Sequence, residues 1–168
     1  LVAEIENLFL IPKVIELVAK KQNIENVDDL LEQTKAKTIE FLQEHLEEQS
    51  LLFAKKRCQN TINNICNQPT STIEEYKASL DGVVDIVNPQ EEYNKVREEL
   101  QKIIDDKDYL AALKVINNKG LLPSTNLPNV FGWKKQYYIE YVIRLLESKD
   151  SVSEELCDIF REYVPVEI

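Results

Sequence analysis

The stretch NVDDLLEQTKAKTIEFLQEHLEEQSLLFAKKRCQNTINNICNQ, from Asn26 to Gln68, decides the fold class. It contains no glycine and no proline, and it is rich in the helix formers Leu, Glu, Gln, Lys and Ala. Asn26 suits an N-cap, and Asp28 and Asp29 suit the positive end of a helix dipole. Pro69 follows the stretch and ends it. The pattern therefore predicts one long helix over about 26–68.

Apolar or near-neutral residues recur along this stretch at intervals of three and four, which is the spacing of one helix face. These positions are Val27, Leu31, Thr34, Thr38, Phe41, His45 and Leu52. An uninterrupted helix of this length would extend roughly 60 Å at about 1.5 Å per residue. That length exceeds what a compact domain of this size needs. We therefore expect the helix either to project as an arm, in a protruding helical hairpin, or to break near Gln49-Ser50.

Helical signals continue on both sides of the long stretch. Pro12 suits the first turn of a helix, and Ser71 has capping-box spacing with Glu74. Asp108 suits the N-cap of a helix YLAALKVINN that would stop at Lys119-Gly120, with glycine in the usual position after a helix. Residues 121–132 are predicted to form the longest loop of the chain. The chain is predicted to be all-α, with seven or eight helices and no strand.

Composition bounds the number of domains and turns. The 168 residues suit one helical domain over 1–168, and an alternative subdivision has a long-helix arm over 1–68 and a helical bundle over 71–168. The 3 glycines and 6 prolines leave few tight turns, which favours helices over a sandwich or barrel. The chain begins with Leu1 and contains no methionine, so we expect it to be a piece of a longer protein.

Charge and cysteine content exclude several classes of function. The net charge is −10, with 9 basic and 14 acidic residues up to position 84 and 11 and 16 beyond it. Since neither half is basic, general duplex-DNA binding by this chain alone is disfavoured. The odd set Cys58, Cys66 and Cys157 lacks CxxC spacing, which argues against a disulfide framework and a zinc site. Without a membrane span or signal peptide, the sequence predicts a protein of the reducing cytoplasm.

The opening motif Glu4-Ile5-Glu6-Asn7-Leu8-Phe9-Leu10, followed by Pro12, carries a family resemblance. It resembles the segment that follows the Toprim-like domain in bacterial ATPases of the overcoming-lysogenization-defect (OLD) type and in related AAA-type ATPases. In those proteins a Glu-x-Glu-Asn-like motif leads from the Toprim strands into a helical region. A later Lys-Gly or Gly-Lys pair of that family is matched here by Lys119-Gly120.

The resemblance implies a parent protein that binds ATP in one domain and Mg²⁺ in a Toprim module that acts on nucleic acid. This chain has no Gly-x-x-x-x-Gly-Lys phosphate loop and no Toprim Asp-x-Asp pair. Its nearest match, Asp105-Asp106-x-Asp108, lies between predicted helices and suits capping. We therefore expect a non-catalytic helical domain without a cofactor of its own. Its expected partners are its upstream ATPase and Toprim domains, a second copy in a homo-oligomer, and nucleic acid only through the parent, without a membrane.

The motif also implies candidate site residues. Glu4 or Glu6 would face the Toprim metal or orient one of its ligands, with Asn7 in a structural or ligand-orienting role. Lys119 would be catalytic, stabilising charge on a transferring phosphate. The alternatives are solvated residues at a helix start, main-chain hydrogen bonds from Glu6 and Asn7, and a lysine that complements a helix dipole.

Two further groups of residues bear on binding or catalysis. Trp133, Lys134 and Lys135 interleave aromatic and basic side chains, which can stack bases and hold phosphate. Their alternative is a loop-to-helix junction with aromatics inside and lysines outside. His45 is the single histidine and has no nucleophile at useful spacing, so it is a poor catalytic candidate.

Two functions from different classes remain open on the sequence. The first is the C-terminal helical domain of an OLD-like ATPase, supporting nucleic-acid processing or defence. The second is a free-standing helical protein–protein interaction module. A small enzyme in its own right is the weakest alternative, because no nucleophile–base pair or metal cluster has workable spacing.

Overall fold

A computed structural model describes residues 3–163, with the side chain of Val84 left out, and these residues form an all-α structure. The described part contains a short opening 3-10 helix and 11 α-helices, 8 of which have seven or more residues, and no strand. The predicted fold class is therefore confirmed. The opening 3-10 helix covers Ile5–Leu10, and the α-helices are α1 (Pro12–Lys21), α2 (Val27–Glu44), α3 (Leu46–Cys66), α4 (Ile73–Asp81), α5 (Val83–Ile86), α6 (Pro89–Asp105), α7 (Tyr109–Val115), α8 (Leu121–Ser124), α9 (Leu127–Val130), α10 (Lys135–Glu147) and α11 (Ser151–Tyr163).

The long stretch breaks into two helices, and the break lies at His45. His45 has φ −107° and ψ 15°, outside the helical region, and α3 begins directly after it. The expected position at Gln49-Ser50 is wrong, because both residues lie within α3 and are buried. There the Ser50 hydroxyl donates to the Leu46 carbonyl at 2.6 Å, a local bond that keeps this polar group satisfied inside the helix.

The break changes which face is buried. Along α2 the predicted face is confirmed, since it buries Leu31, Thr34, Thr38 and Phe41. Along α3 the buried residues are Leu46, Gln49, Ser50, Ala54 and Cys58, and the predicted Leu52 is exposed. A break of one residue rotates the following face, so a single periodic pattern cannot hold across it.

The chain divides into two compact units. The first unit comprises the described residues of 1–44 and 103–168, and the second comprises 45–102. These bounds differ from the alternative subdivision at 68–71. The reason is that α7, α8 and α11 pack with the opening 3-10 helix, α1 and α2, so the two ends of the chain share one core.

The first unit has a core of large aliphatic and aromatic side chains. Its fully buried members include Leu10, Ile11, Ile15, Leu42, Leu113, Ile116, Leu121, Leu122, Leu127, Tyr138 and Leu156. The predicted N-cap is confirmed, since the Ala111 N–H donates to Asp108 Oδ1 at 3.0 Å. The predicted helix end at Lys119-Gly120 is wrong. Helix α7 ends at Val115, because Ile116 turns into extended backbone to bury its side chain, and Gly120 has an ordinary φ of −74° before α8.

The second unit is built from α3, α4, α5 and α6 up to Lys102. Its α3 and α6 are joined by charged side chains: Arg57 contacts Glu99 at 2.6 Å, and Arg97 contacts Glu47 at 2.8 Å. The capping box at the start of α4 lies one residue later than predicted. Thr72 is the N-cap and accepts from the Glu75 N–H at 3.2 Å, and Glu75 in turn accepts from the Ser71 N–H.

Candidate functional site

Asn7, from the opening motif, is a buried structural hydrogen-bond donor. Its side chain is 1% exposed, and its Nδ2 donates to the Leu113 carbonyl at 2.9 Å and to the Ile116 carbonyl at 2.8 Å. These carbonyls lie at the C-terminal end of α7, where a helix has no donors of its own left. Asn7 therefore caps α7 from a position more than a hundred residues away in sequence.

Two tyrosines hold the same opening segment by its main chain. The Tyr138 hydroxyl donates to the Phe9 carbonyl at 3.0 Å, and the Tyr109 hydroxyl donates to the Leu10 carbonyl. Burial raises the pKa of both phenols well above their ordinary value, because the charged form would lose its hydration. Both groups are thus neutral donors at physiological pH, and they fix the path of the opening 3-10 helix.

Glu6 makes an ion pair with Lys135. The distance from Glu6 Oε2 to Lys135 Nζ is 2.6 Å, and both side chains are less than one-third exposed. Lys135 Nζ also donates to the main-chain carbonyl of Lys119 at 3.0 Å. Three of the predicted site residues therefore meet in one place, although Lys119 takes part through its backbone while its side chain is exposed. Glu4 precedes the 3-10 helix, and its carbonyl accepts the Asn7 N–H at 2.9 Å.

The predicted metal site has no cluster of ligand side chains in the described part of the chain. Among residues 3–163, no group of three or more His, Cys, Asp and Glu side chains is arranged to hold a metal ion. The carboxylate of Glu6 has a lysine as its partner, which competes with any cation for the same oxygen. A role for Glu4 and Glu6 at a metal site would need ligands from elsewhere.

Trp133 belongs to an aromatic cluster beside α10. Its ring lies 5.2 Å from Phe131, 5.1 Å from Tyr137 and 4.7 Å from Tyr141, measured between centroids. These rings contact one another, as in the loop-to-helix alternative. Lys134 is exposed at the start of α10, whereas Lys135 is engaged with Glu6. The cluster places one exposed lysine next to partly exposed rings.

Helix α4 has an apolar face that stays partly exposed, although α4 contacts α3 in the same unit. None of its residues is buried, and Ile73, Tyr76 and Leu80 are 70%, 37% and 39% exposed. Their spacing of three and four places them on one face. Apolar faces of helices are normally turned into a core, so three exposed apolar residues on one face are unusual for a surface helix. The sequence signal for this helix was the same spacing, but spacing alone does not tell a core face from a docking face.

A groove runs along α3 in the same unit. It encloses about 500 Å³ and is lined by Leu51, Ala54, Lys55, Cys58, Gln59, Ile62 and Pro89. A second depression shares Leu51 and Pro89 with it and extends the lining to Gln90 and Tyr93. The lining is mostly apolar, with one charged side chain, Lys55. Sequence reasoning did not identify this groove, because it depends on Pro89 lying beside α3.

Comparisons with protein-family models, with curated proteins and with solved structures found no match to this chain. The resemblance of the opening motif to OLD-type ATPases therefore stays a prediction. In the described residues, no helix is both long enough and apolar enough to span a bilayer.

Proposed function

We propose that this chain is a non-catalytic helical domain that binds another protein surface through its second unit. The observation that carries the proposal is the apolar face of α4, on which Ile73, Tyr76 and Leu80 all stay exposed and no residue of the helix is buried. Exposing such a face to water costs free energy that burial against a partner would recover, at about 25 cal/mol per Å² of apolar area. Helix-in-groove docking uses anchors at this spacing.

The contacts of the polar motif residues in the first unit support the proposal. Asn7 caps α7, and Glu6 pairs with Lys135, so the strongest sequence candidates for chemistry make contacts that hold the fold. Their roles are explained without a substrate. The domain then serves as a stable support, and the second unit provides the binding surface.

Photo-crosslinking tests this function. A benzophenone amino acid replaces Tyr76 on the apolar face of α4 in the full-length protein, expressed in the cells that naturally produce it. We expect a discrete crosslinked protein product at this position, because a docked partner would lie against the ring. The control places the same group at Glu98, an exposed position of α6 in the same unit. Equal crosslinking at both positions, or none at either, would contradict a specific docking face.

A second candidate function is the setting that the opening motif implies. In it, the domain follows the Toprim module of a bacterial, cytoplasmic OLD-like ATPase that binds ATP and Mg²⁺, and it supports that module's site. The observation that favours it is the meeting of Glu6, Lys135 and the Lys119 main chain directly after the start of the chain. A neighbouring domain placed before residue 4 would lie close to this group.

The nicking of plasmid DNA by the full-length parent tests this setting. We expect Mg²⁺-dependent nicking by the wild type, and a loss of about 100-fold in Glu6→Gln or Lys119→Ala if that residue stabilises charge in the Toprim site. Lys114→Ala, an exposed lysine of α7, is the matched control, and circular dichroism verifies folding. Unchanged nicking in both variants would make the domain a scaffold. Absence of nicking by the wild type would remove the support for a nuclease parent.

A further inference from the structure

We propose that the second unit opens and closes separately from the first, and that a charged contact between α3 and α6 holds it closed. This contact, the α3–α6 clasp, consists of Glu47 and Arg57 on α3 and of Tyr93, Arg97 and Glu99 on α6. The inference concerns how the unit stays folded, so it does not depend on the docking function of α4.

The second unit buries little apolar surface. Its described side chains that are both apolar and buried are Leu46, Ala54, Cys58, Val96 and Leu100. Ala54 and Cys58 are small, and no residue of α4 is buried. The largest fully buried apolar side chains of the described chain all lie in the first unit. Because a small unit with few buried apolar side chains has a low free energy of opening, we expect the second unit to open first.

One half of the clasp is a two-point contact between Arg57 and Glu99. Arg57 Nη2 donates to Glu99 Oε2 at 2.6 Å, and Arg57 Nη1 donates to Glu99 Oε1 at 3.1 Å. Two parallel bonds fix the orientation of both groups, so this pair is stronger than an ordinary exposed ion pair. The carboxylate of Glu92, also on α6, lies 4.0 Å from Arg57 Nη1 and adds to the attraction.

The other half of the clasp centres on Glu47. Its Oε1 accepts from Arg97 Nε at 2.8 Å, and its Oε2 accepts from the Tyr93 hydroxyl. Glu47 and Arg57 lie about three turns apart on α3, or about 15 Å, so the two halves hold α6 at separate points. An exposed ion pair changes an equilibrium by about fivefold at most, which becomes important only where the buried core is small. The second unit meets that condition.

Hydrogen exchange of the whole chain, followed by mass spectrometry, tests the separate opening. The amides of α3 and α6 are expected to exchange at least about 100-fold faster than those of α1 and α10, relative to an unstructured chain, because the first unit stays folded when the second opens. Equal protection of the amides in both units would overturn the inference, since the chain would then open as one body.

Substitutions in the clasp test its role. Glu99→Gln and Glu47→Gln are each expected to speed exchange in α3 and α6 by about threefold, and by about tenfold together, without changing exchange in α1 and α10. Glu91→Gln is the matched control, because the ion pair of Glu91 with Lys95 lies within α6, and it should change exchange by less than about twofold. Raising NaCl from about 0.05 M to about 1 M should reduce the difference between the wild type and the double variant, because salt screens exposed ion pairs.

Exchanging the two charges of one pair makes the test specific. Arg57→Glu should speed exchange in α3 and α6 by about tenfold, because it brings a third carboxylate to Glu92 and Glu99, and like charges at close range are unfavourable. Adding Glu99→Arg to this variant should restore most of the protection, since the pair is then formed with its charges reversed. The inference fails if the clasp variants exchange like Glu91→Gln, or if the second substitution restores no protection.

Discussion

Replacing Asn7 with alanine is expected to lower the free energy of unfolding of the first unit by about 2–4 kcal/mol. Its side chain is buried and gives two hydrogen bonds, to the carbonyls of Leu113 and Ile116. Alanine removes this donor from both buried carbonyls, and an unsatisfied buried group costs about 1–3 kcal/mol. The Leu113 carbonyl keeps only a long bond from the Ala3 N–H, at 3.5 Å. Urea unfolding followed by the fluorescence of Trp133, the single tryptophan, reports this unit.

Two further variants separate hydrogen bonding from packing. Asn7→Asp keeps the size of the side chain but replaces its donor with an acceptor next to two carbonyl oxygens, so it should destabilise at least as much as alanine. Gln33→Ala removes an exposed amide from α2 of the same unit and should change the free energy by less than about 0.5 kcal/mol. If the free energy of unfolding of Asn7→Ala lies within about 0.5 kcal/mol of the wild-type value, the cap contributes nothing to stability.

Alkaline pH is expected to destabilise the first unit steeply, through Tyr109 and Tyr138. Burial raises the pKa of both phenols in the folded state, whereas in the unfolded chain they titrate near about 10. Above that pH the unfolded state loses protons that the folded state retains. The stability is therefore fully present below about pH 10 and falls as the pH rises, by up to about 1.4 kcal/mol per pH unit for each phenol, or about 2.7 for both.

Urea titrations at a series of pH values above neutrality measure this slope. Tyr138→Phe should lower the stability at neutral pH by about 1 kcal/mol, because the Phe9 carbonyl loses its donor, and it should halve the alkaline slope. Tyr137→Phe is the control, because that ring is 44% exposed in the same unit, and this variant should keep the alkaline slope of the wild type. An alkaline slope that Tyr138→Phe does not reduce would mean that other groups cause the loss of stability.

Local signals in the sequence predicted the helices well where the cause is local. Asp108 caps α7 as its position indicated, and the face of α2 is buried as its spacing indicated, because a cap and a periodic face depend on neighbours within one or two turns. The predicted positions of two helix ends were wrong: the long stretch breaks at His45, and α7 ends at Val115. At the end of α7, Ile116 leaves the helix with its side chain fully buried, and the helix formers around His45 give no warning of the break there.

The sequence predicted some of the residues of the candidate site but not the contacts that they make. The motif drew attention to Glu6, Asn7 and Lys119; Glu6 and the Lys119 carbonyl do meet at Lys135, whereas Asn7 binds the end of α7. Their contacts, however, join positions from opposite ends of the chain, and Lys119 contributes a carbonyl where its ammonium was expected. Sequence spacing gives no measure of such distances, so which atom of a residue takes part was decided by the packing.

The sequence by itself determined that this protein is helical, acidic and built from amphipathic segments, since these properties follow from composition and from periodicity within each segment. Only the tertiary structure decided which apolar faces are covered. Leu31 and Phe41 on α2 are buried, whereas Ile73 and Leu80 on α4, with the same kind of spacing, are exposed. The physical reason is that burial depends on whether another element lies within contact distance, and that is a property of the assembled chain and not of the segment.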